Sequence, residues 1–202
     1  MRKHHVTLFA VALALVCIAG AQAEDKSAPA KTSATARDGV HGFDFEFGSW
    51  LVHHRVKRAS TGEWVEYEGT CTAHPLMGGA GNVEEHTINR ADGVSYGVAT
   101  RAYDEKTDQW AIWWVDSRNP HGPLDPPTVG RFENGVGTFY WDGDVNGKPV
   151  RTRFIWSRIT PTSARWEQAN SYDAGKTWEP NWVMEFQRTA PYSAGASASA
   201  HP

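Results

Sequence analysis

The stretch VGTFYWDGDVNGKPVRTRFIWSRI, residues 136–159, holds two runs of β-branched and aromatic residues, 136–142 and 149–159. Between them lies Asp142-Gly143-Asp144-Val145-Asn146-Gly147. β-Branched and aromatic side chains suit a pleated, half-buried strand, and Asp-Gly and Asn-Gly pairs tolerate the positive φ of tight hairpin turns. The stretch reads as an antiparallel hairpin. The same pattern recurs on both sides of it. Strand-like runs precede it at 49–57, 63–72, 82–89, 95–103, 109–116 and 129–133, and follow it at 164–171 and 180–188. Turn residues separate them: Ser60-Thr61-Gly62, Ala91-Asp92-Gly93, Glu133-Asn134-Gly135 and Asp173-Ala174-Gly175. No sustained 3.6-residue apolar period appears; only segment 43–47 suits a short helical turn. The expectation is an all-β fold, a single antiparallel up-and-down barrel of about ten strands. Closure removes exposed strand edges. A two-sheet sandwich is the alternative.

The N-terminus carries Arg2 and Lys3, an apolar run over 8–19, and Ala21-Gln22-Ala23 before polar sequence. These are the three parts of a cleavable signal peptide over residues 1–23, and the apolar run is short for a membrane span. Cys17 follows Ala14-Leu15-Val16, which departs from a lipobox, so lipid attachment is rejected. Residues 24–40 read as a flexible leader, 41–189 as one domain, and 190–202 (APYSAGASASAHP) as a disordered, low-complexity tail. Localisation is expected to be periplasmic or secreted. Loss of Arg2 and Lys3 leaves 18 basic against 23 acidic side chains, a net charge of −5. No basic block exists, which argues against a nucleic-acid or membrane partner after signal cleavage. Cys71 is then the only thiol, so no internal disulfide is available; its strand-like context suggests a buried, inert side chain.

The domain opens with Phe43-Asp44-Phe45-Glu46-Phe47-Gly48-Ser49-Trp50. This resembles the Gly-x-Trp signature on the first strand of lipocalin-like (calycin) barrels. The resemblance implies a tryptophan across the closed end, stacked under a cation from the last strand, a role that Arg188 matches. Pro75-Leu76-Met77-Gly78-Gly79, then Tyr103-Asp104 with Trp110, Trp113, Trp114 and Asp116, continue the series. The ordered set is similar to a bacterial family of domains of unknown function with a Phe-Asp-Phe-x-x-Gly-x-Trp start. It implies a barrel with a central cavity, not a reaction.

Ser171-Tyr172-Asp173-Ala174-Gly175-Lys176-Thr177-Trp178 fits the Asp-box pattern Ser-x-Asp-x-Gly-x-Thr-Trp. It reads as a structural hairpin turn: Asp173 accepts backbone N–H groups, Gly175 takes positive φ, and Trp178 folds back over the turn. All ten tryptophans lie between residues 50 and 182. Trp50, Trp64 and Trp178 are assigned to packing. Trp114, Trp156 and Trp166 are candidate cavity-lining residues. His54 shares strand parity with Trp50, Val52 and Val56, and so faces inward while His53 faces out. Glu84 and His86 share a face. His54, His86 and a carboxylate are chemically able to hold a metal, but no His-x-His, His-x-x-x-His or Cys-x-x-Cys spacing supports one, and no metal is assigned. Haem arises only by analogy with similar small barrels; no attachment motif is present and the cofactor stays unknown. Among Arg101, Arg151, Arg153, Arg165 and Glu167, any that points inward would anchor a polar ligand; Arg153 and Glu167 are selected. The proline-rich loop over 116–128 suits a semi-rigid rim at a barrel mouth.

The function expected is a small-molecule-binding barrel with a partly apolar ligand in a tryptophan-lined cavity. The ligand-binding set is His54, His86, Trp114, Arg153, Trp156, Trp166 and Glu167, with no catalytic residue assigned. Two alternatives stand beside it. An enzyme in the same cavity requires titratable groups that converge, such as His86 with Glu84 or Glu167. An aromatic carbohydrate-binding module requires a planar row of exposed tryptophans.

Overall fold

The computed structural model describes residues 38–145 and 147–194. The signal peptide at 1–23, the leader up to residue 37 and the tail from residue 195 lie outside the described residues. Ten strands follow one another: β1 (Gly48–Lys57), β2 (Trp64–Leu76), β3 (Gly81–Arg90), β4 (Gly93–Asp104) and β5 (Gln109–Asp116), then β6 (Thr128–Glu133), β7 (Val136–Val145), β8 (Lys148–Ser157), β9 (Ser163–Ser171) and β10 (Glu179–Pro191). Each pairs antiparallel with its sequence neighbours, and β1 pairs with β10 to close the barrel. All ten expected strands form, and closure takes the place of the sandwich alternative. Asn134 and Gly135 both adopt positive φ, 53° and 77°, as a two-residue hairpin turn on the right-handed twist requires.

The hairpin at 136–159 reverses later than its sequence suggests. Asp142 and Gly143 lie inside β7, opposite Arg151 and Val150. The Trp141 ring explains the glycine, because a Cβ at position 143 would come within 2.1 Å of Trp141 Cζ2. Gly143 is there for close approach of a ring rather than for a turn. The folded chain also extends past the expected limits of 41–189. Asp38 accepts hydrogen bonds from the Asn134 and Gly135 amides at 3.2 and 3.4 Å, and β10 runs on to Pro191.

In an up-and-down barrel the hairpins alternate between two ends. The incoming chain, two short 3-10 turns at Gly39–His41 and Asp44–Glu46, folds across the end holding the β6–β7 hairpin. Phe43 is fully buried there, 5.0 Å from Trp110, 4.9 Å from Phe132 and 5.6 Å from Phe139 between ring centroids. Burying a phenylalanine of this kind contributes about 1.5–3 kcal/mol. Trp50 Nε1 donates to Glu46 O at 2.6 Å, and the Arg188 guanidinium lies 4.0 Å over the Trp50 ring. Arg188 also donates to the carbonyls of Phe45, Phe47 and Pro161. One arginine therefore ties the last strand, the tryptophan and the incoming segment together, as the Gly-x-Trp resemblance implies.

The Asp-box hairpin joins β9 to β10 at the other end. Asp173 accepts from the Lys176 and Thr177 amides and from the Ser171 and Thr177 hydroxyls, at 2.6–3.0 Å. Gly175 has φ +88°, and Trp178 stacks under Arg153 at 4.2 Å. The Asp173 contacts all serve the turn, while Trp178 packs onto Arg153 of β8 and Tyr140 of β7.

Candidate functional site

Above the plugged end the barrel is not filled. A cavity of about 320 Å³ remains, at the lower end of the size range of small-molecule sites. Its walls come from inward positions of successive strands: Trp114 on β5, Trp141 on β7, Trp156 on β8, Trp166 on β9 and Trp182 on β10. Trp182 stands nearly perpendicular to Trp114 and to Trp166, at 88° and 87°. Trp114 is 38% exposed and marks the mouth, where Asp125 and Pro126 of the β5–β6 loop also border the void. Ala99, Thr128 and Thr152 are small side chains on this lining.

The wall on β3 and β4 is polar and leads into a buried charge cluster. Arg101 on β4 donates to Glu46 Oε2 at 2.5 Å, to Glu46 Oε1 at 3.2 Å, to Asn82 Oδ1 at 2.9 Å and to Glu84 Oε2. Glu84 Oε1 also accepts from the Cys71 thiol at 3.3 Å and lies 2.5 Å from His86 Nε2. All six side chains are at most 3% exposed.

Two carboxyls around one guanidinium cannot both carry charge in a dry interior without a large desolvation cost. Glu46 is the carboxyl pushed towards its protonated form. Burial, only partly offset by Arg101 and reinforced by Glu84, raises its pKa well above the ordinary carboxylate value. Burial pushes Glu84 the same way, but Arg101 and His86 outweigh it and hold that carboxyl well below the usual range. Arg101 and Glu84 thus compensate each other, and Glu46 is the neutral member. Burial, with the carboxylates beside it, pushes the Cys71 thiol well up.

Cys71, Glu84 and His86 bring one potential ligand atom each within 4.8 Å of one another. Their chemistry is that of a hydrogen-bonded set. Burial and the neighbouring carboxylates favour the protonated thiol, and Glu84 Oε1 is the common partner of Cys71 and His86. Glu84 instead acts on the histidine. A carboxylate accepts only, so His86 Nε2 donates to Glu84. Nδ1 has no partner among the described residues.

No protein-family model matches the chain, and no curated protein matches it. Among solved structures it is similar to the S-type phycobiliprotein lyase CPES from Guillardia theta, at 11% identity over 77% of this chain and 96% of that one, with a TM-score of 0.50. It is also similar to a de novo designed fluorescence-activating β-barrel, at 14% identity over 71% and 94%, TM-score 0.39. The redesigned barrel mFAP0, bound to DFHBI, is similar at 11% identity over 71% and 99%, TM-score 0.41. The likeness is one of fold.

The residues singled out in the sequence divide between the two faces of the wall. His86, Trp114, Trp156 and Trp166 border the cavity. His54 is fully buried beside it, with its ring 6.1 Å from that of His86 and its Nδ1 accepting from Trp182 Nε1 at 3.2 Å. Burial, with His86 and Arg90 nearby, lowers the His54 pKa from 6.5 to about 3. The selection of Arg153 and Glu167 is corrected: both lie on the outer face. Arg153 stacks on Trp178, and Glu167 pairs with Arg165 at 2.7 Å. Their neighbours Thr152, Phe154, Trp166 and Gln168 take the inward positions, and alternation sends residues 153 and 167 out. The inward arginine is Arg101. Asn82, Glu46, Thr128, Trp141 and Trp182 were not among the candidates. The parity of Trp141 with Phe139, and of Trp182 with Phe186, was the available signal for the tryptophans.

Proposed function

We propose that this chain is a small-molecule-binding barrel exported to the periplasm or beyond, which holds a partly apolar ligand in its tryptophan-walled cavity. In this reading it is lipocalin-like and related to the bacterial domains that share its Phe-Asp-Phe-x-x-Gly-x-Trp start. The observation that carries the reading is a void of about 320 Å³, walled by aromatic rings and bordered by His86 with an unpartnered Nδ1. A closed barrel that existed only to fold would pack that space, because interiors are otherwise dense. Native mass spectrometry of the chain, purified gently from the compartment where it accumulates, tests this against a denatured control. A discrete added mass lost on denaturation is expected, on a polypeptide that begins at Glu24. A bare polypeptide that also fails to take up apolar fluorescent probes would remove the reading.

A second reading, an enzyme in the same cavity, draws on the Glu84–His86 pair at 2.5 Å, the convergence that proton-transfer catalysis needs. Mass spectra of the bound species from wild type and His86→Gln separate the two readings. A carrier retains the same compound in both, whereas an enzyme leaves product in one and substrate in the other. The carbohydrate-module alternative loses ground, since Trp64 and Trp114 are the most exposed tryptophans, each at 38%, and lie on separate strands.

A further inference from the structure

The barrel wall is weakest between β5 and β6. These strands share three pairs, Trp110–Gly130, Ala111–Val129 and Ile112–Thr128, whereas β4 and β5 share eight. Pro126 and Pro127 come directly before Thr128, and a proline has no backbone N–H with which to carry the ladder on. From Trp113 onward β5 therefore has no strand on that side. Trp113 and Trp114 are adjacent and point to opposite faces, yet both border the void. All the other strand residues of the lining have inward parity. The void thus reaches round the free edge of β5, and its mouth opens sideways.

Asp125 and Pro126 border the void at this opening. Of the charged side chains on the lining, Glu84, Arg101 and His86 are bound to one another, and Asp125 alone has no partner among the described residues. The aromatic faces beside it are also bare. Elsewhere an arginine covers the outer rings: Arg55 over Trp64, Arg151 over Tyr140 and Arg153 over Trp178. Trp114 packs on Gly97, where a Cβ would come within 2.0 Å of its ring, and remains 38% exposed. A carboxylate with open indole faces around it is the chemistry that recognises an ammonium group. At the deep end the guanidinium of Arg101 opposes a second cation, which fixes the direction: apolar body inward, positive group outward.

Resting on the ligand-binding reading above, we infer that the cavity takes an amphipathic organic cation, its apolar body among the inner tryptophans and its ammonium group at the side opening, held by Asp125 and the faces of Trp113 and Trp114.

Three probes of one shape test this by calorimetry on the full-length chain at pH 7: 2-naphthylmethylammonium, 2-naphthol and 2-naphthoate. The ammonium is expected to bind about threefold to tenfold more tightly than neutral 2-naphthol, the worth of one exposed ion pair with a cation–π contact, and the carboxylate more weakly than either. Salt at about 1 M shortens the screening length to about 3 Å and is expected to erode the preference. Asp125→Asn is expected to remove most of it and to bind 2-naphthol as wild type does, which reports an intact cavity. Equal binding of the three probes, or tighter binding of 2-naphthoate, overturns the inference and leaves the ligand-binding reading standing; no binding by any probe removes both. A preference that survives salt or Asp125→Asn overturns the assignment to Asp125. So does a variant that loses 2-naphthol along with the ammonium, because Asp125 would then shape the cavity rather than read charge.

Discussion

Arg101 and Glu46 meet 2.5 Å apart, although one lies on β4 and the other in the 3-10 turn that crosses the barrel end, 55 residues away in sequence. The contact gives the incoming segment a polar anchor beneath its phenylalanines, since the Arg101 guanidinium also lies 4.5 Å over the Phe43 ring. Removing the guanidinium strips Glu84 of its counter-charge and Glu46 of its donors. Breaking one side of a buried ionic cluster costs about 3–5 kcal/mol. Arg101→Met is expected to lose that much in urea denaturation. Arg101→Lys recovers little of it, because a single ammonium does not reproduce a planar fork that spans two carboxyls and Asn82.

His54 supplies a pH dependence. Its folded pKa of about 3 lies below the unfolded 6.5. The unfolded chain therefore binds a proton first as pH falls, and the stability this group contributes is present above pH 6.5 and lost towards pH 3. The loss approaches about 5 kcal/mol at its limit. His86, Arg90, His53 and Glu84 are the charged or titratable groups that act on it. Gln at this position keeps an acceptor for Trp182 Nε1 and does not titrate. In denaturant melts from pH 7 to pH 4, His54→Gln is expected to show a shallower loss of stability than wild type. Parallel curves would remove His54 as the source.

Glu46 acts in the opposite sense. Its folded pKa is raised, so the unfolded carboxyl ionises first as pH rises, and the stability it contributes is lost from about pH 4.5 upward, where the unfolded carboxyl titrates. Gln mimics the protonated acid: it accepts from Arg101, and its amide donates towards Glu84. Glu46→Gln is expected to gain stability relative to wild type as pH rises from 4 to 8. The urea midpoints of the pair across that range check it.

The strands were legible because turn chemistry punctuates this chain at almost every reversal, and Asn134-Gly135 needs no tertiary help to specify a hairpin. The inward face was legible where a strand repeated large apolar or ring side chains at every second position, as for Trp50, Val52 and His54. That rule also had the means to exclude Arg153 and Glu167. Residues 153 and 156 are three apart, and 166 and 167 adjacent, so neither pair shares a face of a regular strand. Choosing Trp156 and Trp166 for the cavity meant sending Arg153 and Glu167 outside. Arg101 sits in phase with Gly97 and Ala99, small residues that carry no hydrophobic signal although they line the inner face. Glu46 was beyond pattern reading altogether. It belongs to no strand, and it reaches the interior only because the segment before β1 folds back over the barrel end.

Arg188 closes that end through one ring and three carbonyls. A cation over a partly desolvated indole contributes about 1–2 kcal/mol, and each charged hydrogen bond adds to it. Arg188→Ala is expected to lower stability by about 2–4 kcal/mol and to speed proteolysis within residues 38–47, because its bonds to Phe45 and Phe47 are among the contacts that hold them down. Arg188→Lys keeps the charge over Trp50 but not the fork, and falls between the two. An alanine variant with wild-type protease resistance would show that the aromatic plug, with the Arg101–Glu46 and Asp38 contacts, suffices without it.

Ala99 offers the cleanest separation of cavity from fold. It is 3% exposed, lines the void, and pairs with Glu84 and Trp114 on the flanking strands. A phenylalanine there projects into the empty space between the polar wall and the tryptophans. Filling a real cavity commonly stabilises by about 0.5–2 kcal/mol, whereas forcing a ring into a packed core costs about 1–3 kcal/mol. The sign of the change therefore reports whether the void exists in solution. Ala99→Phe is expected to hold or raise the melting temperature and to weaken uptake of 2-naphthol at least about tenfold, both read on the same sample. A stable variant that still binds the probe at wild-type affinity would place binding elsewhere. A destabilised one would mean that the barrel interior is already full.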